Sequence, residues 1–141
     1  LANTLSGVVM TLSSCISEHS IEHAMSAYHQ DLPHGAGLIM ISKEYYKYFI
    51  SRHICDERFV KMAKALGMEN ADKAEDFITA LEKLQNDCGV GDLKMSDFGI
   101  EKSEADVIAA NARETMGGLF EADPCELGHE DCAEIVKKSY R

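Results

Sequence analysis

The chain has 141 residues, 45% hydrophobic and 27% charged, with a net charge of −10. A chain of this length buries about 70% of the surface that its unfolded form exposes, so one domain with its own core is expected. The acidic balance argues against nucleic acid and against anionic membranes as partners, because both select a basic footprint.

The helical period runs nearly throughout, and alternating runs typical of strands are scarce. Leu1 to Ser17 is uncharged, but it lacks a basic leader and an unbroken apolar run of about 20 residues. It is therefore read as buried helix rather than as a signal or membrane span, within a first helix from Asn3 to Tyr28. His29 to Pro33 is a short loop, and a second helix follows from Gly35 to Ser51. In it Leu38, Ile39, Ile41, Tyr45, Tyr46, Phe49 and Ile50 supply apolar contacts. "CDERFVKMAKALG" predicts a third helix, with Phe59, Met62, Ala63 and Leu66 at core spacing and Gly67 as its stop. A fourth, from Ala71 to Asp87, uses Ala74, Phe77, Ile78, Leu81 and Leu84 and ends at Gly89. "VGDLKMSDFGI" reads as a loop with a short turn. Ser103 is the expected N-cap of a helix ending at Gly117, and the last helix runs from His129 to Tyr140. No repeat or internal boundary is visible, so residues 1–141 read as a compact, antiparallel, all-α domain of about six helices joined by short loops.

The five cysteines, Cys15, Cys55, Cys88, Cys125 and Cys132, are odd in number and form no CxxC pair. Free thiols in a reducing cytoplasm fit better than a disulfide framework, and each reads as a small buried hydrophobe.

Four of the six histidines lie in "SEHSIEHAMSAYHQDLPHGAG", inside a 42-residue stretch, Leu1 to Ser42, with no Lys or Arg. His19 and His23 are four apart, which puts both on one helix face. The HExxH protease pattern is set aside. Ser20, not Glu, follows the first histidine, and Glu22 points about 100° away from His23 round the helix. If the first two helices fold back on each other, His34 returns beside the His19–His23 face, and Gly35 leaves the backbone open to a ligand. From spacing alone, a metal site and a set of buried, hydrogen-bonded imidazoles are about equally supported. His29 is placed in the loop near the mouth of this site, and His53 and His129 on the surface.

"EHSIEHAMSAYHQDLPHGAGLIM" closely resembles the signature of iron-containing alcohol dehydrogenases: H-x-x-x-H, about ten residues, then H-G. "LSGVVMTLSSCISEHSIEHA" resembles the small-residue helix before that signature. "GGLFEADPCELGHEDCAEIVKKSYR" is similar to the family's C-terminal Asn/Asp-Pro turn and final helix. The resemblance implies the helical domain of the dehydroquinate synthase-like and iron alcohol dehydrogenase fold. It implies metal binding by His19 and His34, with Fe2+ or Zn2+ as the divalent ion. His23 would then line the catalytic cleft, in proton transfer or substrate positioning. The implied reaction interconverts alcohols with aldehydes or ketones using NAD or NADP. The family's other two ligands, an Asp and a His spaced Asp-x-x-x-His, come from an earlier helix, and its nucleotide-binding α/β domain lies upstream. Neither is found within these 141 residues, and no Gly-rich phosphate loop occurs. The expectation is thus a C-terminal piece of a cytoplasmic enzyme, inactive alone. The alternative is a free-standing helical module that binds a metal or a partner.

Val8, Val9, Met10, Leu12, Cys15 and Ile16 cannot all face one core, because neighbours on a helix lie about 100° apart. One face of the first helix is expected to pack on the chain's own helices. The other should form a homo-oligomer, a two-fold dimer.

Overall fold

The computed structural model describes residues 1–141 and contains helices and short 3-10 turns, with no strand. The helices are α1 (Ala2–Met10), α2 (Ser17–Tyr28), α3 (His34–Ile50), α4 (Asp56–Ala65), α5 (Asp76–Asp87), α6 (Ala105–Met116) and α7 (His129–Ser139). The all-α expectation holds, with seven helices in place of about six. No helix is long and apolar enough to cross a membrane.

The added helix comes from a break in the predicted first one. Residues 11–16 leave the helix, and Ile16 is extended. Two local causes are visible. The Thr11 hydroxyl donates back to the Val8 carbonyl at 2.7 Å, and Ser13 and Ser14 follow, residues that compete with the helical backbone. A distant side chain then restarts the helix. The Asp123 carboxylate accepts the Ser17 backbone N–H at 3.0 Å, the Ser17 hydroxyl at 2.5 Å and the Tyr45 hydroxyl at 2.7 Å. Asp123 therefore does the work of a helix cap from the Asp-Pro turn that the sequence had marked.

α1 corrects a second expectation. Every residue from Leu1 to Ser14 is exposed, so neither face of α1 packs on the rest of the chain. The core lies instead between α2, α3, α6 and α7. α2 packs on α6 and α3, and α7 packs on α6 and α3. Ile21, Ala24 and Met25 of α2 meet Ile41, Tyr45 and Phe49 of α3 and Ile108, Ala109 and Ala112 of α6. The alanines of α6 have no bulk to hold neighbours apart, which suits close helix approach. A second nucleus joins α4 and α5 to α3, where Tyr46, Phe59 and Phe77 pack with ring centroids 5.2 to 6.1 Å apart.

Other boundaries shift for local reasons. The helix assigned to Ser103 begins at Ala105, because residues 102–104 form a 3-10 turn in which the Glu104 side chain accepts the Glu101 N–H at 2.7 Å. The fourth predicted helix begins at Asp76, not Ala71, because the Asp76 carboxylate accepts the backbone N–H groups of Asp72 and Lys73 and holds that segment as a turn. Ala71 and Ala74 are buried from outside the helix, while Leu66 and Leu84, assigned to the core, are exposed. Gly67 and Gly89 end their helices with positive φ, as expected. All five cysteines are free, but only Cys132 is fully buried, and Cys88 is exposed. The buried-hydrophobe reading therefore fits Cys132 alone, whose thiol burial pushes up to about 12.

Candidate metal centre

The α2–α3 hairpin builds the site. Ser17 to Tyr28 runs into a short turn at His29–Pro33, and α3 starts at His34 with extended Pro33 as its N-cap. Proline's fixed φ suits this extended entry, and the Pro33 carbonyl accepts the Ala36 and Gly37 N–H groups at 2.8 and 3.2 Å. The fold-back returns His34 to the face that carries His19 and His23. The His19 and His34 rings lie 5.2 Å apart, and those of His23 and His34 lie 5.1 Å apart. One ligand nitrogen from each of the three falls within 4.8 Å of the others. The three residues singled out from the sequence are thus brought together. His19 is half-buried, while His23 and His34 are exposed, so the cluster opens to solvent on one side.

The other histidines stand apart. His29 is the C-cap of α2, and its Nε2 lies 3.0 and 3.1 Å from the two Glu104 oxygens. It ties α2 to the start of α6 rather than joining the cluster. His53 and His129 are exposed.

The electrostatics of the cluster suit a cation. Burial holds the His19 imidazole below its ordinary range, and the neighbouring His34 and His23 add to this by disfavouring a third positive charge. Neutral imidazole is the form that binds a metal. Two acidic residues of α2 that the sequence reading did not select are buried, and one of them, Glu22, touches the cluster. Glu22 is fully buried, and it bonds His34 Nδ1 through Oε2 while Oε1 accepts the Ser26 hydroxyl at 2.6 Å. Glu18 is also buried; Tyr46 donates to one of its oxygens at 3.2 Å and the other has no partner. Burial pushes the Glu18 carboxyl up to about 7. The available signal for Glu22 was its place in the buried stripe of α2, between Ile21 and the histidine face.

Three imidazoles converging on one point fit a borderline divalent ion such as zinc or ferrous iron, both of which take nitrogen ligands. The model of the Fe-containing alcohol dehydrogenase family, C-terminal, matches residues 1–140.

The chain belongs to the iron-containing alcohol dehydrogenase family.

Solved structures share the fold. An archaeal halo-thermophilic Red Sea brine pool alcohol dehydrogenase, ADH/D1, bound to NZQ, is 29% identical with a TM-score of 0.88, over 98% of this chain and 36% of that one. An alcohol dehydrogenase from Oenococcus oeni shares the fold at 24% identity and a TM-score of 0.81, over 96% of this chain and 35% of that one. A 1,3-propanediol oxidoreductase also shares the fold, at 20% identity and a TM-score of 0.75, over 89% of this chain and 32% of that one. The chain therefore spans about a third of the length of these solved structures, and it matches the C-terminal part of its family. No curated protein matches.

Proposed function

We propose that this chain is the metal-binding and substrate-facing end of an NAD(P)-linked alcohol dehydrogenase that interconverts alcohols with aldehydes or ketones. The observation that carries this reading is the convergence of His19, His23 and His34 within 4.8 Å, in a chain of this family. His19 and His34 would hold the divalent ion, Fe2+ or Zn2+. When bound, the ion would supply a Lewis acid that favours alkoxide character on an alcohol oxygen.

The chain's own residues do the rest. His19 stays neutral because burial and its imidazole neighbours disfavour the charged form, so its lone pair is available. His34 is oriented through Nδ1 by Glu22. His23 is exposed beside both, where it can meet a substrate hydroxyl and pass its proton to water. The α2–α3 hairpin keeps one wall of the site rigid through Ile21, Ala24, Met25 and Ile41. Nicotinamide binding falls to residues outside these 141, which contain no Gly-rich phosphate loop. The chain alone is therefore inactive.

The test combines two assays. The purified chain with Fe2+ or Zn2+, a primary alcohol and NAD+ or NADP+ should give no reduced cofactor. In zinc titrations, His19→Ala and His34→Ala should each weaken binding by about tenfold or more, the range seen when a metal-site group is lost, and His23→Ala should weaken it less. Steady cofactor reduction by the chain alone would overturn the division of labour. Zinc affinity indifferent to His19 and His34 would overturn the site.

A further inference from the structure

Glu22 is an unusual residue to find at zero exposure. A buried carboxylate is costly unless a charge or several donors compensate it. Glu22 has no Lys or Arg partner; its only ion-pair neighbour is His34, and its only other hydrogen bond comes from Ser26. The chain also makes room for it. Gly37 lies one turn along α3, and a Cβ there would sit 2.6 Å from Glu22 Cγ and 2.9 Å from Oε1, closer than real Cβ contacts allow. Gly37 has no left-handed backbone to explain it. The glycine is there for space, and the space is filled by the carboxylate.

Building on the metal-site reading above, we propose that Glu22 is a positioning residue for the metal centre. It fixes the tautomer and the aim of His34 and supplies the buried negative charge that the bound cation requires. A carboxylate only accepts hydrogen bonds. Its bond to Nδ1 therefore places the proton of neutral His34 there and leaves the Nε2 lone pair for the ion. The imidazole cluster has no charge of its own to offset a divalent cation, and Glu22 provides one unit of it through the ring of His34. This is the carboxylate–histidine–metal relay by which a carboxylate raises ligand basicity. Ser26 holds the far oxygen, so the carboxylate cannot rotate away from the ring.

The test compares the parent with Glu22→Gln, Glu22→Leu and, as a control, Asp31→Asn at an exposed acid nearby. The first readout uses the metal-free chain: long-range 1H–15N correlation of the imidazoles, which reports which ring nitrogen carries the proton. His34 should be protonated on Nδ1 in the parent and in Glu22→Gln, whose amide oxygen still accepts, and should move toward the Nε2–H form in Glu22→Leu. The second is zinc affinity by chelator competition. It should fall about 10- to 100-fold in both Glu22 variants and stay unchanged in Asp31→Asn. Should Glu22→Leu fail to fold, the loss of affinity in Glu22→Gln decides. Unchanged zinc affinity in the folded Glu22 variants, or His34 protonated on Nε2 in the parent, overturns the proposal and leaves the metal reading standing. A parent that binds no zinc overturns the metal reading and the proposal with it.

Discussion

Removing the Asp123 side chain tests how the fold presents His19. Asp123 lies in the turn before Pro124, yet it closes the start of α2, two residues from His19. Asp123→Ala removes an acceptor for three donors: Ser17 N–H, Ser17 Oγ–H and the hydroxyl of Tyr45, a fully buried residue. Hydrogen bonds to a charged group contribute about 1.5–3 kcal/mol each. The three are not additive, for two reasons. Asp123 is half-buried, so water replaces part of what is lost, and Tyr45 keeps a 3.0 Å contact with the Ser17 hydroxyl. The expected cost is therefore at the low end, about 3–4 kcal/mol in all. For a domain of this size that lowers Tm by about 10 °C. Urea unfolding followed by circular dichroism measures it. Asp123→Asn should cost less, because the amide keeps one acceptor. In Asp123→Ala, adding Tyr45→Phe should cost little more, because no buried hydroxyl then lacks its acceptor. A loss under about 1 kcal/mol, or fully additive losses in the double variant, would refute the idea that Asp123 caps α2.

Two further outcomes follow from buried and exposed groups. Glu18 has its folded pKa raised from 4.5 to about 7 by burial, so its contribution favours the fold below pH 4.5 and is lost as pH rises toward 7. Glu18→Gln should therefore stabilise the metal-free chain relative to the parent by up to about 3 kcal/mol more at pH 8 than at pH 4; an equal difference at both pH values would show that the carboxyl titrates normally. In α1 and just after it, Leu5, Val8, Val9 and Leu12 are 55%, 54%, 59% and 85% exposed, and a patch of this kind seeks a partner. The chain should sediment as a dimer at high micromolar concentration and as a monomer with Val9→Glu and Leu12→Glu together; a monomeric parent would rule out α1 as the contact.

The convergence of the three histidines was legible in the sequence because its signals are local. The i, i+4 pair fixes His19 and His23 on one face whatever the rest of the chain does, and Pro33 marks where the fold-back must occur. The supports were not legible, because each depends on a residue far along the chain or on the other helix of the hairpin. Nothing in "SSCISEHS" says that Asp123 will restart the helix at Ser17, across 106 positions. Glu22 was set aside with the protease pattern, since periodicity gives its direction but not the fact that His34 and Gly37 close over it. α1 differs for a related reason: uncharged residues at helical spacing look like core, but periodicity does not say whether another element packs on them, and here residues 1–14 are exposed.

The most direct test of the central claim is anomalous diffraction from crystals of the chain soaked in zinc, with data on both sides of the zinc absorption edge. Three ligand nitrogens at most 4.8 Å apart can be equidistant from a point about 2.8 Å away, so modest side-chain rotation brings them to the 2.0–2.1 Å of a zinc–imidazole bond. One strong peak is expected, bonded to His19 and His34, with His23 at or beside it and Glu22 still on His34 Nδ1. No peak at this cluster, with zinc instead on His53, His129 or surface carboxylates, would contradict it.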